Sequence, residues 1–245
     1  MDRAPAPAEL RRLFARTLPS DVEIELGADA AAHARVLRLA AGDHVQLFDG
    51  RGHFVEGVIT HAAKGTLRAR SLGVPQFVER EQRVVLVQCL PKSGKLDDIV
   101  RMTSELGVAE IALAVSEYCV AKATREEQKI ERLERVAIEA ARQAEQAYVP
   151  VLHTARPLAE VLARAPQHAY RAAFLERSEV PLPAAFPSRE VWLVVGPEGG
   201  LSSTDRAALT QANFIPSAIG RSILRTETAA VVGVALALER LGRCA

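Results

Sequence analysis

The sequence predicts an α/β protein in which a mainly parallel sheet follows a small β-barrel. Three observations carry this. Short alternating strands with glycine-bearing turns fill the first third of the chain. Beyond residue 82 the apolar residues come instead in continuous runs, as in Val84-Val85-Leu86-Val87, Ile111-Ala112-Leu113-Ala114-Val115 and Val191-Trp192-Leu193-Val194-Val195. Segments of helical periodicity separate those runs, and strands that alternate with helices build parallel sheets covered on both faces.

Residues 1–9 are Pro/Ala-rich and read as a disordered leader; they lack the apolar segment of a signal peptide. A first strand begins at Arg12-Leu13-Phe14-Ala15, and Ala28 to Leu37 reads as a helix. Val45-Gln46-Leu47-Phe48 alternates apolar and polar residues, and the turn Asp49-Gly50-Arg51-Gly52 leads into Phe54–Ile59. Gly65–Arg70 is a further strand of the same kind, and such strands close into small barrels. Pro75 to Gln82 is polar and aperiodic, as a linker is. The expected domains are therefore 10–74 and 83–245.

In the second domain, Asp97 to Leu106 is amphipathic, with Ile99, Val100, Met102 and Leu106 on one side. Arg125 to Ala147 is a long charged helix with Ile130, Leu133, Val136, Ala137, Ala140 and Ala141 as its apolar stripe, ended by Pro150. Tyr170–Phe174 is a strand. Ser203–Gln211 is a helix with Ser202 or Ser203 as its cap, and Thr226 to Leu241 closes the chain as a helix.

Composition excludes several classes. No apolar run approaches the roughly 20 residues that span a bilayer. Cys89, Cys119 and Cys244 show neither a CxxC pair nor metal-ligand spacing, so no metal is expected and a reduced, cytoplasmic setting is the simplest reading. A formal charge of +1 and 4% aromatic residues give no bulk signature of nucleic-acid binding, which must then come from local patches.

Two segments carry chemistry. Val195-Gly196-Pro197-Glu198-Gly199-Gly200-Leu201-Ser202 joins a buried strand to a helix, where open α/β sheets place their ligand crevice. Its glycines permit close backbone approach and positive φ. It is neither a P-loop nor GxGxxG, and without a phosphate loop a doubly wound nucleotide-dependent enzyme is excluded. By itself it could be only a tight strand-to-helix turn. The second segment, Ile219-Gly220-Arg221-Ser222-Ile223-Leu224-Arg225-Thr226-Glu227-Thr228-Ala229, runs into the last helix. Arg225 stands at that helix's N-terminus, where the macrodipole disfavours a cation; function or a pairing with Glu227 could account for it.

Together, GPEGG and IGRSILRTETA resemble the C-terminal signature of the RsmE family, 16S rRNA (uracil-N3)-methyltransferases of the SPOUT class. The similarity extends over residues 11–240: Arg12-Leu13-Phe14; His33, Val36-Leu37-Arg38 and Gly42-Asp43; Pro91-Lys92 and Gly94-Lys95; Ser104-Glu105-Leu106-Gly107-Val108; Glu139-Ala140-Ala141, Gln143 and Val149-Pro150. The chain departs from the family pattern at Tyr118, Arg142 and Gln146, where the family usually has Arg, Glu and Arg.

The resemblance implies a PUA-like barrel for RNA recognition, then a SPOUT domain with a deep trefoil knot that holds S-adenosylmethionine. It places Gly196, Glu198, Gly200, Ile219, Gly220, Ser222 and Leu224 around that methyl donor, and Leu175, just after the strand Tyr170–Phe174, is the candidate for a further wall. It implies methylation of one uridine in 16S rRNA of the small ribosomal subunit, by a homodimer in the cytoplasm. Since N3 must lose a proton and charge then develops on O2 and O4, Arg225 is the expected stabilising cation, with Glu198 or Glu227 as the candidate base. Arg12, Arg35, Arg38, Lys92 and Lys95 are the expected RNA contacts. Two alternatives stay open: a SPOUT methyltransferase acting on another RNA base, and a non-enzymatic RNA-binding or ribosome-assembly factor.

Overall fold

The structure, a computed structural model, describes residues 11–92, 94–119 and 126–242. The expected leader at residues 1–9, the start of the long helix at Arg125, and Cys244 lie outside the described residues. The chain divides into two compact units, one holding the residues up to Glu79 with Ala141–Tyr148, the other Arg80–Ala140 and Val149 onward.

The first unit contains β1 (Arg11–Phe14), β2 (Glu23–Leu26), α1 (Ala28–Val36), β3 (His44–Phe48), β4 (His53–Ala63), β5 (Thr66–Ser71) and β6 (Gln76–Phe77). The hydrogen-bonded order is β1-β3-β4-β5-β2, with β6 added to β4. All pairs are antiparallel except β1 with β3. Among the described residues this five-strand path does not close by a β1–β2 ladder. Its inward residues, among them Leu13, Val45, Leu47, Val55, Ile59 and Leu67, share one core with Ala31 and Ala34 of α1. The stretch expected to be a linker instead contributes β6, which pairs His53 with Phe77 and Phe54 with Gln76.

The second unit contains β7 (Arg83–Cys89), α2 (Lys95–Glu105), β8 (Glu110–Val115), most of α3 (Glu126–Gln143), β9 (Val151–Pro157), α4 (Leu158–Leu162), β10 (Tyr170–Phe174), β11 (Glu190–Val195), α5 (Ser203–Gln211), β12 (Ile215–Ser217) and α6 (Thr226–Gly242). The sheet order is β12-β10-β11-β7-β8-β9, and every pair is parallel. Alternation along β7 explains its unbroken apolar run. Val84 and Leu86 face a core shared with α2, α3 and α6, through Ile99, Leu133 and Val234. Val85, Val87 and Cys89 face the opposite core, with Leu158 and Leu162 of α4 and Leu209 of α5. Both faces are covered, so both must be apolar.

α3 ends at Gln143, well before Pro150. Glu145 follows with a left-handed φ of 55°, a conformation that stops a helix without proline. At α6, Gly233 lets the helix approach β10 closely: a β-carbon there would stand 2.4 Å from the Phe174 ring.

Candidate active site

Parallel pairing places the carboxyl ends of β12, β10, β11 and β7 along one edge of the sheet. Leu175 follows β10, the glycine-rich turn follows β11, the segment from Ala218 follows β12, and Leu90-Pro91-Lys92 follows β7. Segments remote in sequence thus meet at the crevice position of an open α/β sheet. Backbone bonds tie them: Leu175 N–H donates to Ser217 O at 3.1 Å, and Ala218 N–H to Val180 O at 2.8 Å.

The glycine-rich turn is built by local rules. Ser202 caps α5 with a full capping box: its Oγ accepts from Asp205 N–H at 3.1 Å, and its own N–H donates to Asp205 Oδ2 at 3.0 Å. The same Asp205 oxygen accepts Glu117 N–H at 3.3 Å, which anchors the turn after β8. Gly200 holds a φ of +73°, where a side chain would be strained. At Gly199, a β-carbon would come within 3.2 Å of Tyr118 Cβ, so Tyr118 packs on the turn's backbone.

Two side-chain ties cross the edge. In the interior, Gln88 Nε2 donates to Thr226 Oγ1 at 3.0 Å, and Thr226 Oγ1 donates to Gly196 O at 2.7 Å. Nearer solvent, Lys95 Nζ lies 3.1 Å from Glu198 Oε1 and 3.0 Å from Glu227 Oε2. Lys92 N–H donates to the other Glu198 oxygen at 3.1 Å. Partial burial pushes the Glu198 carboxyl up, but the amides of Lys92 and of Glu198 itself, with Lys95, draw it below the usual carboxylate range. Glu227 behaves alike: burial raises it, and its own amide, Lys95 and Arg225 outweigh that. Lys95 is raised by its ion pairs with Glu227 and then Glu198.

The segment from Ala218 to Arg225 divides by polarity. Ile219 and Leu224 are half-buried and pack against the core, whereas Gly220, Ser222 and Arg225 are exposed. Gly220 has a φ of +69° and open space beside its α-carbon. Arg225 O accepts Ala229 N–H at 2.8 Å, closing the first turn of α6. Glu227, the carboxylate nearest Arg225 in sequence, is held by Lys95.

Comparison with known proteins places this arrangement. Residues 78–238 match the family model of the RNA methyltransferase domain, and residues 26–70 that of the RNA methyltransferase PUA domain. Ribosomal RNA small subunit methyltransferase E of Mycobacterium bovis is 32% identical over 233 residues, 90% of this chain and 88% of that protein. The chain belongs to the ribosomal RNA small subunit methyltransferase E family. A member from Neisseria gonorrhoeae, solved bound to S-adenosyl methionine, superposes with a TM-score of 0.84 at 25% identity, covering 92% of this chain and 95% of that one. A probable rRNA-methyltransferase from Porphyromonas gingivalis gives 0.80 at 29% identity, covering 96% and 99%.

The expected donor-site and catalytic residues, Leu175, Gly196, Glu198, Gly200, Ile219, Gly220, Ser222, Leu224, Arg225 and Glu227, all fall on segments leaving this sheet edge or on the first turn of α6. The expected basic contacts behave differently. Arg35 and Arg38 are exposed in the first unit, and Lys92 is exposed in the second. Arg12 is a correction. It is 8% exposed, its guanidinium lies 4.4 Å from the centre of the Phe48 ring, and Nη2 donates to Gln146 O at 3.2 Å. Burial lowers its pKa. A cation so enclosed does not meet a phosphate. Lys95 differs from the exposed contacts in that its ammonium is shared by two carboxylates. Gln88 went unread as a site residue. The signal was there, a polar residue at the end of the apolar run Val84–Val87.

Proposed function

We propose that this protein transfers the methyl group of S-adenosylmethionine to N3 of one uridine in 16S rRNA of the small ribosomal subunit. The observation that carries the reading is the convergence of the glycine-rich turn and the Ile219–Arg225 segment at the carboxyl edge of one parallel sheet. The residues present fit such a donor. Ile219 and Leu224 offer apolar walls seated on the core, the turn presents backbone rather than side chains, and Gly220 leaves open space. Leu175, Gly196, Glu198, Gly200 and Ser222 complete the proposed set. When bound, the donor supplies an electrophilic methyl group.

Uridine N3 attacks only once its proton has left, and the resulting charge spreads to O2 and O4. Arg225, exposed at the start of α6, is the proposed cation that stabilises it; loss of such a group costs about 10²–10³ in turnover. Glu198 and Glu227 are the proposed proton acceptors. Both are ionised near neutrality, as a base must be, but Lys95 and the amides keep them weak. The reaction therefore leans more on Arg225 than on either carboxylate.

The barrel unit, through Arg35 and Arg38, and the SPOUT unit, through Lys92, are proposed to grip the rRNA. The trefoil knot implied by the family resemblance belongs to the same proposal. So do a homodimer, favoured by half-buried Val231, Val232 and Ala235 on α6, and a cytoplasmic setting, favoured by the ribosomal substrate. No helix among the described residues is long and apolar enough to cross a membrane.

The test is to incubate purified protein with small-subunit particles and labelled donor, then map modified nucleotides by mass spectrometry. One methylated uridine, lost with Arg225→Ala while donor binding persists, is the expected result. Methylation of another base moves the protein to a different substrate. Absence of both donor binding and methylation reduces it to an assembly factor.

A further inference from the structure

The ion-paired cluster at Lys95 joins three chain segments at a single ammonium. Lys95 opens α2, in the segment that leaves β7. Its Nζ reaches Glu198 in the turn after β11 at 3.1 Å and Glu227 in the first turn of α6 at 3.0 Å. The Lys92 amide, from the same segment as Lys95, takes the second oxygen of Glu198 at 3.1 Å. Below it, Gln88, Thr226 and Gly196 join the same strand end, the same helix start and the same turn through neutral bonds of 3.0 and 2.7 Å. The two ties run side by side. The inner one is a pair of directional hydrogen bonds. The outer one is electrostatic and its side chains are partly exposed.

We propose that Lys95 is a positioning residue that clamps the glycine-rich turn to the start of α6 and so holds the methyl-donor loops in their binding geometry. The proposal rests on the donor-site reading above. Its physical core is the convergence of two carboxylates on one cation. With the ammonium in place they attract a common partner. Without it, two like charges face each other across the donor loops, and the loops must separate or one carboxylate must take up a proton. Among the described residues, Glu198 faces Lys95, with the Lys92 amide on its other oxygen, and Glu227 faces Lys95 and Arg225.

The test is calorimetric titration of S-adenosylmethionine into the full chain and its variants from pH 5 to 8, each read as a ratio to wild type so that the donor's own ionisation cancels. Lys95→Met is expected to lower donor affinity roughly tenfold at pH 8, within the range typical of coupling between neighbouring sites. Its deficit should shrink as the pH falls, because protonating one carboxylate relieves the repulsion. Lys95→Arg, which keeps the charge, should recover most of the affinity. Adding Glu227→Gln to Lys95→Met should recover part of it by removing one of the repelling charges. In rRNA binding, Lys95→Met should leave the slope of affinity against salt unchanged.

A flattening of that slope by about one unit, with donor affinity intact, identifies Lys95 as a phosphate contact and overturns the proposal. A loss of donor affinity that is independent of pH and shared equally by Lys95→Arg reduces the residue to packing and also overturns it. Should Lys95→Met fail to fold, the charge-keeping and charge-balanced variants decide between these outcomes. If wild-type protein binds no donor, the site reading itself falls and the clamp falls with it.

Discussion

Replacing Thr226 by valine isolates the inner tie. The substitution keeps the β-branched shape at the first residue of α6 and removes only the hydroxyl, which is why a Thr-to-Val change is not energetically conservative. Thr226 is 5% exposed, and its Oγ1 accepts from Gln88 at 3.0 Å while donating to Gly196 O at 2.7 Å. A buried polar group left without its partner costs about 1–3 kcal/mol. Gln88 keeps a second bond, from Nε2 to Cys89 O at 2.8 Å, and Gly196 is only half-buried, so neither loss reaches the top of that range. The two together come to about 2–4 kcal/mol. At roughly 2–4 °C per kcal/mol for a chain of this size, the melting temperature should fall by about 4–16 °C. Thr226→Ser, which keeps the hydroxyl and gives up one methyl, should cost about 1 kcal/mol. Urea unfolding of the three proteins measures the difference, and donor titration on the same samples should show weaker binding for the valine variant alone. If valine unfolds within about 0.5 kcal/mol of wild type, or serine costs as much as valine, the hydroxyl is not what ties α6 to the turn.

Gly52 and Gly65 share positive φ values of +97° and +84°, but a β-carbon at Gly52 would stand 2.7 Å from Val78 O and 2.5 Å from Tyr148 Oη, while Gly65 has nothing within 4 Å. Gly65→Ala should therefore cost only the backbone strain, about 1–2 kcal/mol, and Gly52→Ala should add an overpacking cost of about 1–3 kcal/mol in urea unfolding. Arg12→Ala should destabilise the first unit through loss of the Phe48 contact and the Gln146 bond, yet leave the salt dependence of rRNA binding unchanged; a flatter slope restores Arg12 as a phosphate contact. Glu198 and Glu227 have folded pKa values below the unfolded 4.5, so the folded state binds fewer protons than the unfolded one on the acid side. Their stabilisation is complete above about pH 4.5 and is lost as pH falls through the folded values. Lys95 is raised above 10.5, so its contribution is complete below that and disappears as pH rises through its folded value. Unfolding between pH 3 and 7 should show this acid limb in wild type and a shallower one in Lys95→Gln.

The pattern of read and unread strands has a simple cause. β7, β8 and β11 lie inside the parallel sheet and are covered on both faces, so continuous apolar runs mark them; β10 is also interior but carries Arg171, and only its Ala172 and Ala173 are buried. β9 and β12 are the two edges of that sheet, and β2 is an edge of the other. An edge strand needs no apolar run: β9 carries His153, Thr154 and Arg156, and β12 is three residues with a proline. β6 is a two-residue pairing whose side chains are exposed, too short and too polar to differ from a linker. The cap of α5 was legible because it depends only on Ser202 and a carboxylate three residues later.

The glycine-rich turn and the Ile219–Arg225 segment were recognisable from sequence alone, because strand, turn, glycine and helix cap are local properties of consecutive residues. So was the attachment of the glycine-rich turn to the end of a buried strand, β11. The fate of each isolated charge was not. Arg12 and Lys95 look like surface cations in one dimension. One is stacked beneath Phe48, and the other is held between carboxylates that follow it by 103 and 132 positions, at Glu198 and Glu227. A charge takes its role from the dielectric and the partners around it, and for these two residues tertiary packing alone supplies both.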